Sequence, residues 1–144
     1  MDEGKGKILA SAGLLLLRLF VGLGLAAHGW SKFFGEHGIK GFAGFLGSLG
    51  VPLPTLSAVL SAGTELGGGL LVAAGLFTRL AALPVVFNML VAVIAVHRVS
   101  YFLTNNPPGM EYALNLAAVF GALALTGPGT FSLDHLRCCR KKLA

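Results

Sequence analysis

Four stretches of this chain are apolar with little interruption, at residues 8–29, 53–77, 80–97 and 110–127. Each comes near the ~20 residues that a helix needs to cross the hydrocarbon of a bilayer, the third and fourth at the short end. In that medium the backbone must satisfy its own hydrogen bonds, so the pattern predicts an all-α, integral membrane four-helix bundle. Between the first two stretches lies a segment of another kind, WSKFFGEHGIKGFAGFLGSLGVP at residues 30–52. Glycine recurs there at every third position from Gly38 to Gly50, interleaved with Ile39, Phe42, Phe45, Leu46 and Leu49. Glycine costs about 1 kcal/mol per helical position relative to alanine, so this density calls for close packing. An interfacial or re-entrant helix against the outer end of the bundle is expected, with Trp30, Phe33 and Phe34 in the aromatic belt.

The second stretch carries a carboxylate, Glu65, near its middle. On a helix its own face holds Ala58, Ser61, Ala62, Gly68 and Gly69, and the opposite face holds Leu56, Leu60, Leu70 and Leu71. Small residues at this spacing let membrane helices approach closely, and Gly63 and Gly67 add a GxxxG step. Glu65 is therefore expected inside the bundle, where an ionisable group needs a partner, a proton or water. Arg18 lies about 15 Å into the first helix, at 1.5 Å per residue, and Glu65 falls at similar depth on the antiparallel second one. A buried Arg18–Glu65 ion pair is the expected structural arrangement. Pro54 suits the first turn of the second helix, and Pro84 should kink the third. Asn88 and His97 fall on opposite sides of that third helix. On the fourth, Glu111, Asn115, Ala118 and Ala122 form a polar and small stripe expected to face the interior.

Composition agrees with a membrane protein: 55% of residues are hydrophobic and only 12% charged, where soluble proteins carry about a quarter charged. The net charge of +5 does not indicate nucleic acid, because the basic residues follow topology. With four spans, Lys5, Lys7, Arg79, Arg137, Arg140, Lys141 and Lys142 share one side, while Lys32, Lys40 and Arg98 share the other. The positive-inside rule then places both termini in the cytoplasm, with residues 130–144 a basic tail of one domain spanning 1–144. The cysteines, Cys138 and Cys139, sit in that tail, where a structural disulfide is not expected. No CxxC motif is present.

Four titratable residues gather toward the outer half: His28, Glu65, His97 and Glu111. Two histidines and two carboxylates on four helices are the donor types of a transition-metal site, although no ExxH spacing is present. His28 and His97 at equal depth could alternatively ligate a haem. Glu65 and His97 could also exchange protons with a quinone headgroup. A hydrogen-bond network that fixes the loops would use the same residues.

Several stretches resemble the DoxX family of small four-span membrane proteins: LLRLFVGLGLAAHGWSKFFG at 16–35, GFAGFLGSLGVPLP at 41–54, TELGGGLLVAAGLFTRLAA at 64–82, then MLVAVIAVH and GMEYALNLAAVFGALALTGPGTFSLD. Together they cover nearly the whole chain in order. The family's characteristic polar positions map onto Arg18, His28, Lys32, Glu65, Arg79, His97, Glu111 and Asp134. The wider group includes a subunit of an archaeal thiosulfate:quinone oxidoreductase, members associated with redox-stress complexes, and cargo receptors or assembly factors without catalysis. The resemblance implies an inner-membrane component of a redox complex, with quinone as the leading cofactor and haem or a metal as alternatives. In that reading Glu65 and His97 accept protons, and His28, Glu111, Arg18, Asn115 and Lys32 contribute binding. The alternative is a scaffold, chaperone or cargo-binding protein whose small-residue grooves receive another membrane protein. Lipid, other subunits and a second copy of the chain are the expected partners.

Overall fold

A computed structural model of the chain describes residues 3–96, 101–102 and 109–142, and every regular element in them is helical. The first helix, α1 (Glu3–Phe34), is 32 residues long. That corresponds to about 48 Å, well beyond the ~30 Å hydrocarbon core, so α1 must project past the bundle. The Gly-rich segment forms the expected short helix, α2 (Gly38–Ser48), which packs on α1 and α3. The second span is a single rod of three parts. It comprises α3 (Pro54–Gly63), a π-helical turn (Thr64–Gly68) and α4 (Gly69–Ala74). Pro54 occupies its first turn, where no backbone donor is needed. Then follow α5 (Thr78–Ala95), with Pro84 inside it, and α6 (Glu111–Thr126). A final amphipathic helix, α7 (Leu133–Lys142), closes the described chain.

Three of these rods are long and apolar enough to cross a membrane: Gly4–Phe34, Pro54–Ala74 and Thr78–Ala95. α6 is equally apolar but only 16 residues long. Their outer faces suit hydrocarbon, with Phe20, Phe87, Ile94 and Leu125 all more than two-thirds exposed. A soluble protein would not show water so much contiguous apolar surface. The bundle is held by a core of Leu25, Val72, Ala82, Val85, Phe120 and Leu123. A smaller cluster of Ala43, Leu46 and Ala58 seats α2 on α3.

The antiparallel crossing of α1 with the second span sets the register of the whole site. A Cβ on Gly22 would come within 2.7 Å of the Gly69 carbonyl oxygen, and one on Gly29 within 2.8 Å of the Ala62 carbonyl oxygen. Backbones approach this closely only where side chains are missing. The expected GxxxG step does not do this work, since a Cβ on Gly63 or Gly67 would meet nothing within 4 Å. On the second span the predicted faces are correct: Ala58, Ala62, Glu65 and Gly69 are buried, and Leu56, Leu60, Leu70 and Leu71 are exposed. On α6 the predicted face is reversed. Asn115, Ala118 and Ala122 are exposed, and Ala113, Leu116, Ala117, Phe120 and Leu123 fill the interior. Leu116, Phe120 and Leu123 supply the bulk of the buried side, where they join the core with Val85 and Met89 of α5, and Ala113 and Ala117 fill in between them.

Candidate functional site

Glu65 lies in the π-helical turn and is 4% exposed. A π turn inserts an extra residue into the i→i−4 ladder and re-aims the side chains around it, and such turns are frequent at functional sites. Three consecutive glycines, Gly67 to Gly69, follow at once. Two of them clear room for the neighbours: a Cβ on Gly68 would lie 2.6 Å from Val85 Cγ2 of α5, and one on Gly69 2.5 Å from the Gly22 carbonyl oxygen of α1. The turn thus sits tightly between α1 and α5, and both supply a partner to the carboxylate.

The first partner is Lys32, near the far end of α1, whose Nζ donates to Glu65 Oε1 at 2.5 Å. Asn88 of α5 donates its Nδ2 to the same oxygen at 3.3 Å. Glu65 Oε2 is buried and has no donor among the described residues. Lys32 also rests over the Phe42 ring, its Nζ 4.6 Å from the centroid, a cation–π contact that ties the ion pair to α2. A buried carboxylate without its cation would cost several kcal/mol, so Lys32 and Asn88 are what let Glu65 remain there.

These three residues lie on the wall of a cavity of about 510 Å³ enclosed by α2, the second span and α5. The rest of the lining is mostly hydrocarbon, including Phe42, Leu46, Leu49, Val91 and Ala92, with Ser57 and Ser61 the additional polar side chains. Phe45, Leu49 and Val91 line the cavity and are also surface-exposed, which places its mouth on the apolar flank of the bundle. The volume falls within the ~300–1,000 Å³ of small-molecule sites, and an apolar wall with a few convergent polar groups is their usual make-up.

The other charged residue of the first span lies elsewhere. Arg18 is fully buried, but it does not pair with Glu65. Its Nη2 donates to the Phe131 carbonyl oxygen at 2.5 Å, and Asp134 supplies an opposite charge that acts on it. The crossing register explains the correction. With Gly22 opposite Gly69, Arg18 one turn earlier is carried to Gly75, where a Cβ would fall on its Nη1. The depth expected for Arg18 was too great because the first turns of α1 run past the ends of the other helices. There the returning chain packs against them, through Thr130 N donating to Ser11 Oγ at 3.3 Å.

The remaining candidates are dispersed. The His28 ring is exposed and packs 5.3 Å from the Tyr112 ring. Glu111 opens α6, half-buried, its amide donating to the Tyr101 carbonyl oxygen at 2.9 Å. Asn115 faces outward, and His97 lies outside the described residues. Among the described residues no group of three or more His, Cys, Asp and Glu could hold a metal ion. Sequence reasoning named Lys32 as a binding residue but paired Glu65 with Arg18, and it missed Asn88 as a partner of Glu65. The signal for Asn88 was its amide at membrane depth in an otherwise apolar span.

The DoxX family model matches residues 13–98 of this chain. A Bacillus subtilis (strain 168) protein named "Putative oxidoreductase CatD" is 38% identical over 122 residues, covering 85% of this chain and 84% of the relative. Two proteins of Escherichia coli (strain K12) are also similar. "Inner membrane protein YphA" is 33% identical over 85% of this chain and 88% of its own length. "Inner membrane protein YqjF" is 30% identical over 90% and 95%. No solved structure matches.

Proposed function

This chain belongs to the DoxX family of membrane proteins, and on that premise we propose that it is a quinone-interacting subunit of a membrane oxidoreductase complex. One observation carries the reading: the lipid-side cavity of about 510 Å³ with Lys32, Glu65 and Asn88 on its wall. A quinone is a flat apolar ring with polar oxygens, dissolved in the bilayer. It would enter from the apolar flank, place its ring among Phe42, Leu46 and Val91, and bring one oxygen to the polar set. Lys32 Nζ donates to that oxygen. Each two-electron reduction of a quinone takes up two protons, and Glu65 is the group at hand to exchange them. The electrons pass through another subunit of the complex, while this chain supplies the pocket and the proton-exchanging carboxylate. His97, which lies outside the described residues, stays in this reading as a second proton acceptor on the grounds of its chemistry alone. The oxidoreductase name of the B. subtilis relative points the same way. The names of the E. coli relatives and the bias of basic residues support an inner-membrane location with both termini in the cytoplasm.

The test is quinone content after gentle purification. Near-stoichiometric quinone in the extract of the native chain, lost in Ser61→Phe, which fills the cavity, is the expected result. Extracts free of quinone, with no uptake of added quinone, would end this reading. A second reading, a membrane scaffold or chaperone, draws on the outward-facing Asn115, Ala118 and Ala122 of α6. A membrane protein that co-purifies equally with the native chain and with Ser61→Phe would favour it.

A further inference from the structure

Resting on the reading that a quinone-class ring occupies the cavity, we infer that the site selects the reduced ring: it is a hydroquinone-preferring pocket that recognises a hydroxyl proton. The argument is an inventory of donors and acceptors. Glu65 Oε1 already receives Lys32 Nζ at 2.5 Å and Asn88 Nδ2 at 3.3 Å. Glu65 Oε2, which is buried, receives no donor among the described residues. A carboxylate can accept about four hydrogen bonds, so the cluster is short of donors on one specific oxygen. Lys32, by contrast, has spare donors. An ammonium carries three protons, and of these the contact with Glu65 uses one.

What complements such a set is a group that both donates and accepts. With the Glu65 carboxylate turned so that its unmet oxygen faces the cavity this residue lines, a hydroquinone hydroxyl can donate a hydrogen bond to that oxygen while its own oxygen accepts from Lys32 Nζ. A quinone carbonyl can do only the second, and leaves a buried carboxylate oxygen unmet. An unmet buried acceptor is penalised more heavily than a made hydrogen bond is rewarded, and the effect is larger for charged groups. Sites built around a hydroxyl therefore reject analogues that lack it more strongly than sites built on apolar contact reject a change in size. The apolar walls are common to both redox forms and do not discriminate. The preference comes from Glu65 Oε2 alone.

The experiment compares three probes on the full-length protein in lipid nanodiscs by calorimetric titration under anaerobic conditions. They are a decyl-tailed benzoquinone, its hydroquinone, and the dimethyl ether of that hydroquinone, which keeps the ring, tail and oxygens but has no O–H. The hydroquinone is expected to bind about tenfold or more tighter than either of the others. In Glu65→Gln the advantage should shrink to about twofold or less. Equal binding of the three, or tighter binding of the quinone, overturns the inference while leaving the cavity a quinone site. So does a hydroquinone advantage that persists undiminished in Glu65→Gln. If none of the three binds, the proposed function falls along with it. The comparison within the native protein decides the matter even where the variant fails to fold.

Discussion

Among the described residues two charged side chains are buried in this bundle, and they have opposite surroundings. Arg18 is covered by protein: Gly75 lies against its Nη1, the Phe131 carbonyl takes its Nη2, and the chain after α6 closes over it. Its Nε and Nη1 are buried without an acceptor among the described residues, and it is not among the residues that line the cavity. Asp134 reinforces that closure, its carboxylate accepting from the amides of Phe77 at 2.8 Å and Thr78 at 3.0 Å at the start of α5. Glu65 instead faces a cavity, with one oxygen saturated and the other unmet. A buried charge is therefore not a site by itself. At Arg18 it fastens the returning chain to α1 and to the α4–α5 turn; at Glu65 there is room for something else to complete the bonding.

Gly75→Ala should produce the largest effect. Its φ of +69° is in the left-handed region, and the new methyl would displace Arg18. A loss of about 3 kcal/mol or more of stability is expected, read as a collapse in thermal stability and in the yield of folded protein. At the other cluster, Lys32→Met together with Glu65→Leu should separate binding from folding. Replacing a buried ion pair by apolar residues of similar size is often neutral, so stability should move by about 1 kcal/mol or less. Quinone binding should nevertheless fall about a hundredfold, measured by titration in nanodiscs. Asp134→Ala removes both the carboxylate cap of α5 and the opposite charge that acts on buried Arg18, and should cost about 2 kcal/mol or more, with ligand affinity unchanged. Asn115→Leu, on the outward face of α6, should change stability by no more than about 0.5 kcal/mol in thermal unfolding. A large loss there would mean that this face is covered in the membrane.

Helical periodicity was enough to place Glu65 on the small-residue face of the second span, and the glycine density of 30–52 was enough to expect a helix there, although α2 occupies only Gly38–Ser48 and residues 30–34 continue α1. It was not enough to find the partners. Which residues of α1 and the second span stand opposite one another depends on where two backbones can touch. That is decided by Gly22 and Gly29 against Gly69 and Ala62, not by the GxxxG step that the sequence advertises. Once that register is set, Arg18 belongs to Gly75 and Lys32 belongs to Glu65, the reverse of what depth counting along ideal helices gives. The π turn was hidden for a related reason. Its one-residue shift leaves the apolar pattern intact and is stabilised by neighbours far away in sequence. On α6 the polar and small stripe was read as interior because both interior and lipid-facing sides are apolar in a membrane helix. There the packing of Leu116, Phe120 and Leu123 into the shared core fixes the buried face.

Photolabelling with an azido-quinone, followed by peptide mapping, tests the central distinction between the two buried charges most directly. Labels should fall on the cavity lining around Phe45, Leu49 and Val91 and should be competed away by excess unlabelled quinone. Competable labelling instead at Leu76, Leu133 and Leu136, beside the Arg18 end of the bundle, or no competable labelling at all, would contradict the account.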